Sequence, residues 1–172
     1  MRKYLPFSLI ILFPYLIAFA LICIFTGSFM ETIFNNNAFL LLFILIILYV
    51  AALVCAITVF ITGFTKKKNS LEILRINMII KLLHIPAYLL IFVLGLLCTL
   101  TIFTIGITIV LMILDGMTIV LSGLVGIGGI IRGLRENKIS IKKAVIHGIL
   151  QFVYCADIIS SIVIYRTIKA IE

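Results

Sequence analysis

Two aspartates stand where a carboxylate is expensive. Asp115 is the only charged residue between Ile85 and Ile131, and Asp157 lies inside the apolar run from Ala144 to Tyr165. An ionised carboxyl at the centre of a membrane helix costs about 2.5–3.5 kcal/mol on insertion scales, so an acid kept there faces protein, water or a solute. Each lies about seven or eight residues from the outer end of its run, roughly 10–12 Å below the outer surface at about 1.5 Å per residue. At one level, the two either share a site or repel each other until one holds a proton. Such acids suit a proton or solute path opening to the outside.

Helical phase at 100° per residue gathers companions around them. Gln151, Tyr154, His147, Ser161 and Tyr165 share a stripe with Asp157 at its edge, and Thr108, Asp115, Ser122, Gly126, Gly129 and Gly133 form another. A looser stripe holds His84, Tyr88, Gly95 and Thr99. The candidate binding residues are therefore Asp157, Asp115, Gln151, Tyr154 and Ser122. Ser122-x-x-x-Gly126 and Gly129-x-x-x-Gly133 are small-xxx-small spacings that let helix backbones approach, so Gly126, Gly129 and Gly133 are expected at a helix contact.

Other chemistries find no support in the residue types. The four cysteines, Cys23, Cys55, Cys98 and Cys155, fall in separate apolar segments with no Cys-x-x-Cys pair and no Cys/His ligand spacing. That argues against a metal site, a disulfide framework or a thiol-redox pair. His147 and Cys155 are eight positions apart, about 12 Å along one helix, so a nucleophile–base dyad would require that helix to break. Gly126, Gly128 and Gly129 lie inside an apolar run and not after a strand, which excludes a phosphate loop. No enzymatic activity, cofactor or metal is expected.

The elements that would position these groups follow from hydropathy and charge. The chain has 172 residues, of which 65% are hydrophobic and 12% charged, and its mean hydropathy is +1.40. One crossing needs about 20 apolar residues. The run from Ile85 to Ile131 is more than twice that and is flanked by Lys/Arg at both ends, so it must cross and return. The expected fold is an all-α integral membrane bundle of about five transmembrane helices with a cytoplasmic N-terminus. Its spans are 4–25, 38–64, 86–105, 108–131 and 144–165. The first resembles a signal peptide in outline, but its apolar core is too long and it reads as an uncleaved span. The loop 27–37 carries no Lys or Arg, as an outer loop should.

Five spans place 12 of the 14 Lys and Arg residues inside, leaving Arg166 and Lys169 outside with the C-terminus. Residues 71–83, with Ser70 as N-cap, form either an interfacial helix or an inward extension of the third span bent at Pro86. The turn between the third and fourth spans is placed near Gly106, with Asp115-Gly116 as the alternative.

A net charge of +8 is explained by these loops facing anionic headgroups, without nucleic acid. The localisation expected is a cell membrane, of the bacterial inner-membrane type, with the lipid bilayer as the first partner. Two functional classes remain: a transporter, channel or membrane solute-binding subunit using Asp157 and Asp115, or a non-catalytic membrane partner. The second would be an immunity or assembly subunit of a larger complex, or a homo-oligomer, docking through its Gly/Ser stripe.

Overall fold

The computed structural model describes residues 5–65, 69–100 and 105–171. These form α1 (Leu5–Phe25), α2 (Ser28–Phe34), α3 (Ala38–Thr62), α4 (Ser70–Thr99), α5 (Ile105–Arg135), α6 (Ile141–Leu150) and α7 (Ala156–Lys169), with no strand among the described residues. Four of them, α1, α3, α4 and α5, are long and apolar enough to cross a membrane. That is compatible with a multi-pass membrane protein. Tyr4, the expected anchors Arg2, Lys3 and Lys66–Lys68, and residues 101–104 of the central turn lie outside the described residues.

Local chemistry explains where the long helices start and stop. Asn37 caps α3, its Oδ1 accepting from the N–H groups of Phe39 (3.0 Å) and Leu40 (3.2 Å), which supplies partners to donors that a helix start leaves free. Asn35 and Asn36, both at positive φ, turn the chain from α2 into that cap. These residues occupy the loop expected between the first two spans.

α4 runs unbroken through Pro86, so residues 71–83 extend the third span and are no separate interfacial helix. Its cap is Asn69, one residue before the Ser70 that the sequence suggested. α5 is already helical at Ile105 and continues past Asp115-Gly116. The turn therefore precedes Gly106, and Asp115 is a helical residue.

The fifth expected span, 144–165, is not one helix. It breaks after Leu150, and α7 folds back antiparallel to α6. His147 of α6 meets Ser160 of α7, while Ile139 and Ala144 pack with Ile164 and Ile168 near the other end of the pair. α7 is also antiparallel to α4: Asp157 meets Lys81, and Ile168 clusters with Leu74. The C-terminal end of α7 therefore lies beside the 132–143 loop. This overturns the expectation of a tail at the opposite face, and Arg166 and Lys169 lie at the same end of the bundle as Arg132, Arg135 and Lys138. Placing Arg166 and Lys169 with the basic 132–143 loop suits the positive-inside rule better than a fifth crossing would.

That basic end is held by polar contacts. Glu136 accepts from the Ser70 hydroxyl (2.5 Å) and pairs with Arg132 (2.7 Å) and Lys138 (3.2 Å). Arg135 and Arg132 donate to the carbonyls of Phe64 (2.7 Å) and Thr65 (3.2 Å), serving the acceptors left free where α3 ends. Partial burial works to raise the Glu136 pKa, but hydrogen bonds from Ser70, Arg132 and Lys138 outweigh it and hold the carboxyl down to about 2.

Below this end, α3 and α5 touch backbone to backbone. A Cβ on Gly63 would lie 2.8 Å from the carbonyl carbon of Gly128, with no flexible side chain to yield. Further along, Phe13, Ile10 and Ile17 of α1 pack on Ala52 and Ala56 of α3 and on Ile80, Leu121 and Val125. Small residues allow this close approach.

Two outcomes follow from this packing. Gly63→Ala should lower the melting temperature of the detergent-solubilised protein, whereas Gly148→Ala, with open space around the new methyl, should leave it unchanged or raise it slightly. The Glu136 contacts should stabilise fully above the ordinary carboxyl pKa of 4.5 and be lost as pH falls toward about 2. Glu136→Gln should therefore destabilise the protein at pH 7 and flatten its acid denaturation profile between those limits.

Candidate functional site

The break between α6 and α7 brings together most of the buried polar groups of the chain. α6 ends with Gln151 as its C-cap, and α7 starts after Cys155, whose φ of 64° is uncommon for a residue with a side chain. Two half-helix ends thus meet at one tip. A helix C-terminus favours a cation and an N-terminus an anion. Lys81 of α4 meets both: its Nζ lies 2.7 Å from Asp157 Oδ2, in the first turn of α7, and donates to the Gln151 carbonyl at 3.3 Å. Lys81 and Asp157 are both 0% exposed. By position Lys81 belongs to the basic flank that precedes the run from Ile85 to Ile131, yet it lies in the interior.

Around this pair the tip is bonded on several sides. Asn77 Nδ2 donates to Gln151 Oε1 at 3.1 Å, and Gln151 Nε2 donates to Ser160 Oγ at 3.3 Å. Ser161 donates to the Asp157 carbonyl at 2.9 Å. His84 Nε2 lies 3.1 Å from the Ile10 carbonyl, an acceptor only, so that nitrogen carries a proton. Its Nδ1 faces the Tyr88 hydroxyl at 3.3 Å. Tyr88 in turn stacks at a tilt on Tyr154 of the tip, with ring centroids 5.7 Å apart, and its hydroxyl lies beside Ser122.

The glycine stripe of α5 receives this assembly, and Gly126, Gly129 and Gly133 each abut side chains of another helix. Gly126 makes room for the Gln151 and Asn77 amides, Gly123 for the Phe152 ring, Gly129 for Leu74 of α4, and Gly133 for Ile168 of α7 and Ile139. The contact with backbone, by contrast, is made at Gly128, which faces Gly63 and Phe60.

Asp115 stands farther from the basic end. It lines a cavity of about 480 Å³ between α4 and α5, with Gly95, Thr99 and Thr108 among the walls and Tyr154 reaching in from the tip. The remaining walls are chiefly aliphatic, including Ile91, Leu111, Met112 and Ile119. Asp115 and Asp157 are close enough to interact electrostatically. They do share a neighbourhood, but Asp157 reaches it from the basic end on a folded-back hairpin. Among the described residues, three buried side-chain oxygens have no hydrogen-bond partner: Asn77 Oδ1, Asp115 Oδ1 and Asp157 Oδ1.

The candidate residues therefore divide. Asp157 and Gln151 are buried at the tip, Ser122 adjoins it through Tyr88, and Asp115 and Tyr154 line the cavity. Sequence reading missed Lys81 and Asn77 as site members. Both lie on one face of α4 with His84, Tyr88 and Gly95, and extending that stripe one turn toward the N-terminus would have found Lys81. The helix break that a His147–Cys155 dyad would need does occur, yet His147 Nδ1 pairs with Ser160 Oγ at 2.8 Å and Cys155 stands exposed in the turn. Ser160 has hydrogen-bond reach to a base, but it is 2% exposed and does not line the α4–α5 cavity. No group of residues suited to holding a metal occurs among the described residues.

Over residues 2–170 the chain matches the model of a family of unknown function, DUF6652, and it belongs to that family. No curated protein and no solved structure matches it.

Breaking a buried ion pair by removing one partner typically costs about 3–5 kcal/mol, whereas replacing both partners by apolar groups is often neutral. Asp157→Asn and Lys81→Met should each lower the melting temperature in detergent sharply. The double variant Lys81→Met/Asp157→Leu should recover much of that loss. Additive losses in this cycle would show that the two side chains are not coupled.

Proposed function

We propose that the chain is a multi-pass protein of the cell membrane, of the bacterial inner-membrane type, that binds and moves a small solute. It acts as a transporter or as the solute-binding subunit of one. Its basic end, with the 132–143 loop and the tail after α7, lies on the cytoplasmic side. α1, α3, α4 and α5 cross the bilayer, and α6–α7 is a re-entrant hairpin entering from the cytoplasm. The observation that carries this reading is the cavity floored by Asp115 and Tyr154, set against the tip of a broken helix.

In secondary transporters, discontinuous helices present half-helix ends to the substrate and coupling ion near the bilayer midplane. Irregular backbone at membrane depth is tolerated where it is buried in protein or lines a cavity. The tip here has both settings: Gln151 is buried and Tyr154 reaches the cavity. Gly123, which abuts the tip, is about 27 Å from the start of α5 and about 18 Å from its end at 1.5 Å per residue. The cavity occupies the longer, outward part. A solute entering from outside would meet Asp115 first, then Tyr154, with the Lys81–Asp157 pair closing the route beyond. Rearrangement of that pair would be the step that opens the inner side.

Single cysteines in a cysteine-free background test this reading. Thr108→Cys, on the cavity wall, should react with a membrane-impermeant thiol reagent added outside. Lys138→Cys and Lys169→Cys should react only when the reagent reaches the cytoplasmic face. A Thr108→Cys variant unreactive from both sides would mean that lipid fills the cavity, and the transport reading would fail.

A further inference from the structure

Among the described residues, the buried and half-buried charges between the helices are unequal in number. Two carboxylates, Asp115 and Asp157, are close enough to interact, and the ammonium of Lys81 is committed to Asp157. His84 adds no obligatory charge, because a single proton on Nε2 serves the Ile10 carbonyl and leaves Nδ1 to receive the Tyr88 hydroxyl. Among the described residues Asp115 has no cationic partner, and its Oδ1 is buried without a hydrogen-bond donor. In a medium of low dielectric such a carboxyl holds either a proton or a positive charge beside it, and a cation that enters in place of the proton meets an ionised counter-ion.

The cavity that Asp115 lines decides what form the positive charge takes. A small hydrated metal ion needs several oxygen ligands, and these walls are mostly aliphatic, from Ile91 and Leu96 on one side to Leu111 and Met112 on the other. About 480 Å³ is within the range of pockets that enclose a drug-sized molecule. Tyr154 and Phe92 also line it, and aromatic faces attract organic cations. We infer that the α4–α5 cavity is a binding site for a lipophilic organic cation, an apolar body bearing one delocalised or alkylated positive charge, with Asp115 as its counter-ion. The inference rests on the transport reading above, since it gives that reading its substrate class.

A matched pair of ions tests it: tetraphenylphosphonium and tetraphenylborate share shape and size but differ in the sign of charge. Saturable binding is measured for the whole protein in lipid nanodiscs, relative to empty nanodiscs. The wild type should bind tetraphenylphosphonium saturably and tetraphenylborate only as the lipid alone does. Asp115→Asn keeps the side-chain shape and should weaken cation binding by about thirtyfold or more, the loss expected when one partner of a buried charge pair is removed. Asp115→Glu should restore most of it, and equal melting temperatures for the three proteins would separate loss of binding from loss of fold.

Saturable tetraphenylborate binding equal to that of the cation, no saturable binding of either ion, or an unchanged Asp115→Asn variant would each overturn the cation assignment. A reactive Thr108→Cys combined with any of these results would leave transport standing with a different substrate class.

Discussion

An ammonium and a carboxylate that meet at 2.7 Å with no exposure tie the long apolar hairpin to the C-terminal segment. Each charge alone would be prohibitive in this bundle, and desolvation offsets much of their mutual attraction. Their hold on the structure comes from the alternatives. Any arrangement that moves α7 away from α4 leaves Lys81 or Asp157 buried and unpaired. With both present, α7 must lie with its first turn beside Lys81, and a chain leaving α6 must turn back to put it there. The half-helix ends then complement the pair, since the Gln151 carbonyl receives the ammonium and the start of α7 carries the carboxylate.

The rest of the architecture is arranged to admit that hairpin. α5 is bare where α6 and α7 approach, with Gly123, Gly126 and Gly133 each leaving space that a methyl group would fill. At the basic end, Glu136 joins the start of α4 to the end of α5, and two arginines cap α3. Away from that end the packing loosens into the cavity beside Asp115. Tight packing around the hairpin and open space beyond it make the bundle asymmetric along its axis, closed at the basic end and more open at the other, as the proposed solute site requires.

Much of this was legible in the sequence, and the part that was not has a physical cause. Hydropathy and basic flanks located α1, α3, α4 and α5, because length and charge asymmetry decide which segments can cross a bilayer. Helical phase identified the polar face of α4 at His84, Tyr88 and Gly95, and the polar pattern singled out Asp157 and Gln151, which are buried at the hairpin tip, and Asp115, which lines the cavity. The break of the fifth segment escaped because Gln151–Cys155 contains neither glycine nor proline, so no local signal interrupts the helical pattern. The turn is imposed from outside the segment, by Asn77 and Lys81 on a helix about seventy residues earlier. Pairwise contacts of that sort leave no periodicity. Two cues were nonetheless present: Arg166 and Lys169 violated the charge rule in a five-span layout, and Gln151, Asp157, Ser160 and Ser161 made that segment unusually polar for a crossing.

The central claim is that α6 and α7 form a hairpin, so one oxidative cross-link tests the account most directly. Ile139 and Ile168 both crowd Gly133, with a Cβ there lying 3.3 Å and 2.8 Å from their side chains. On a continuous crossing helix the two positions would be about 43 Å apart at 1.5 Å per residue. In an otherwise cysteine-free chain, Ile139→Cys/Ile168→Cys should form an intramolecular disulfide in native membranes on mild oxidation. Failure to cross-link, with the residue 168 thiol reacting from the opposite membrane face to that at 139, would contradict the hairpin and the site built on it.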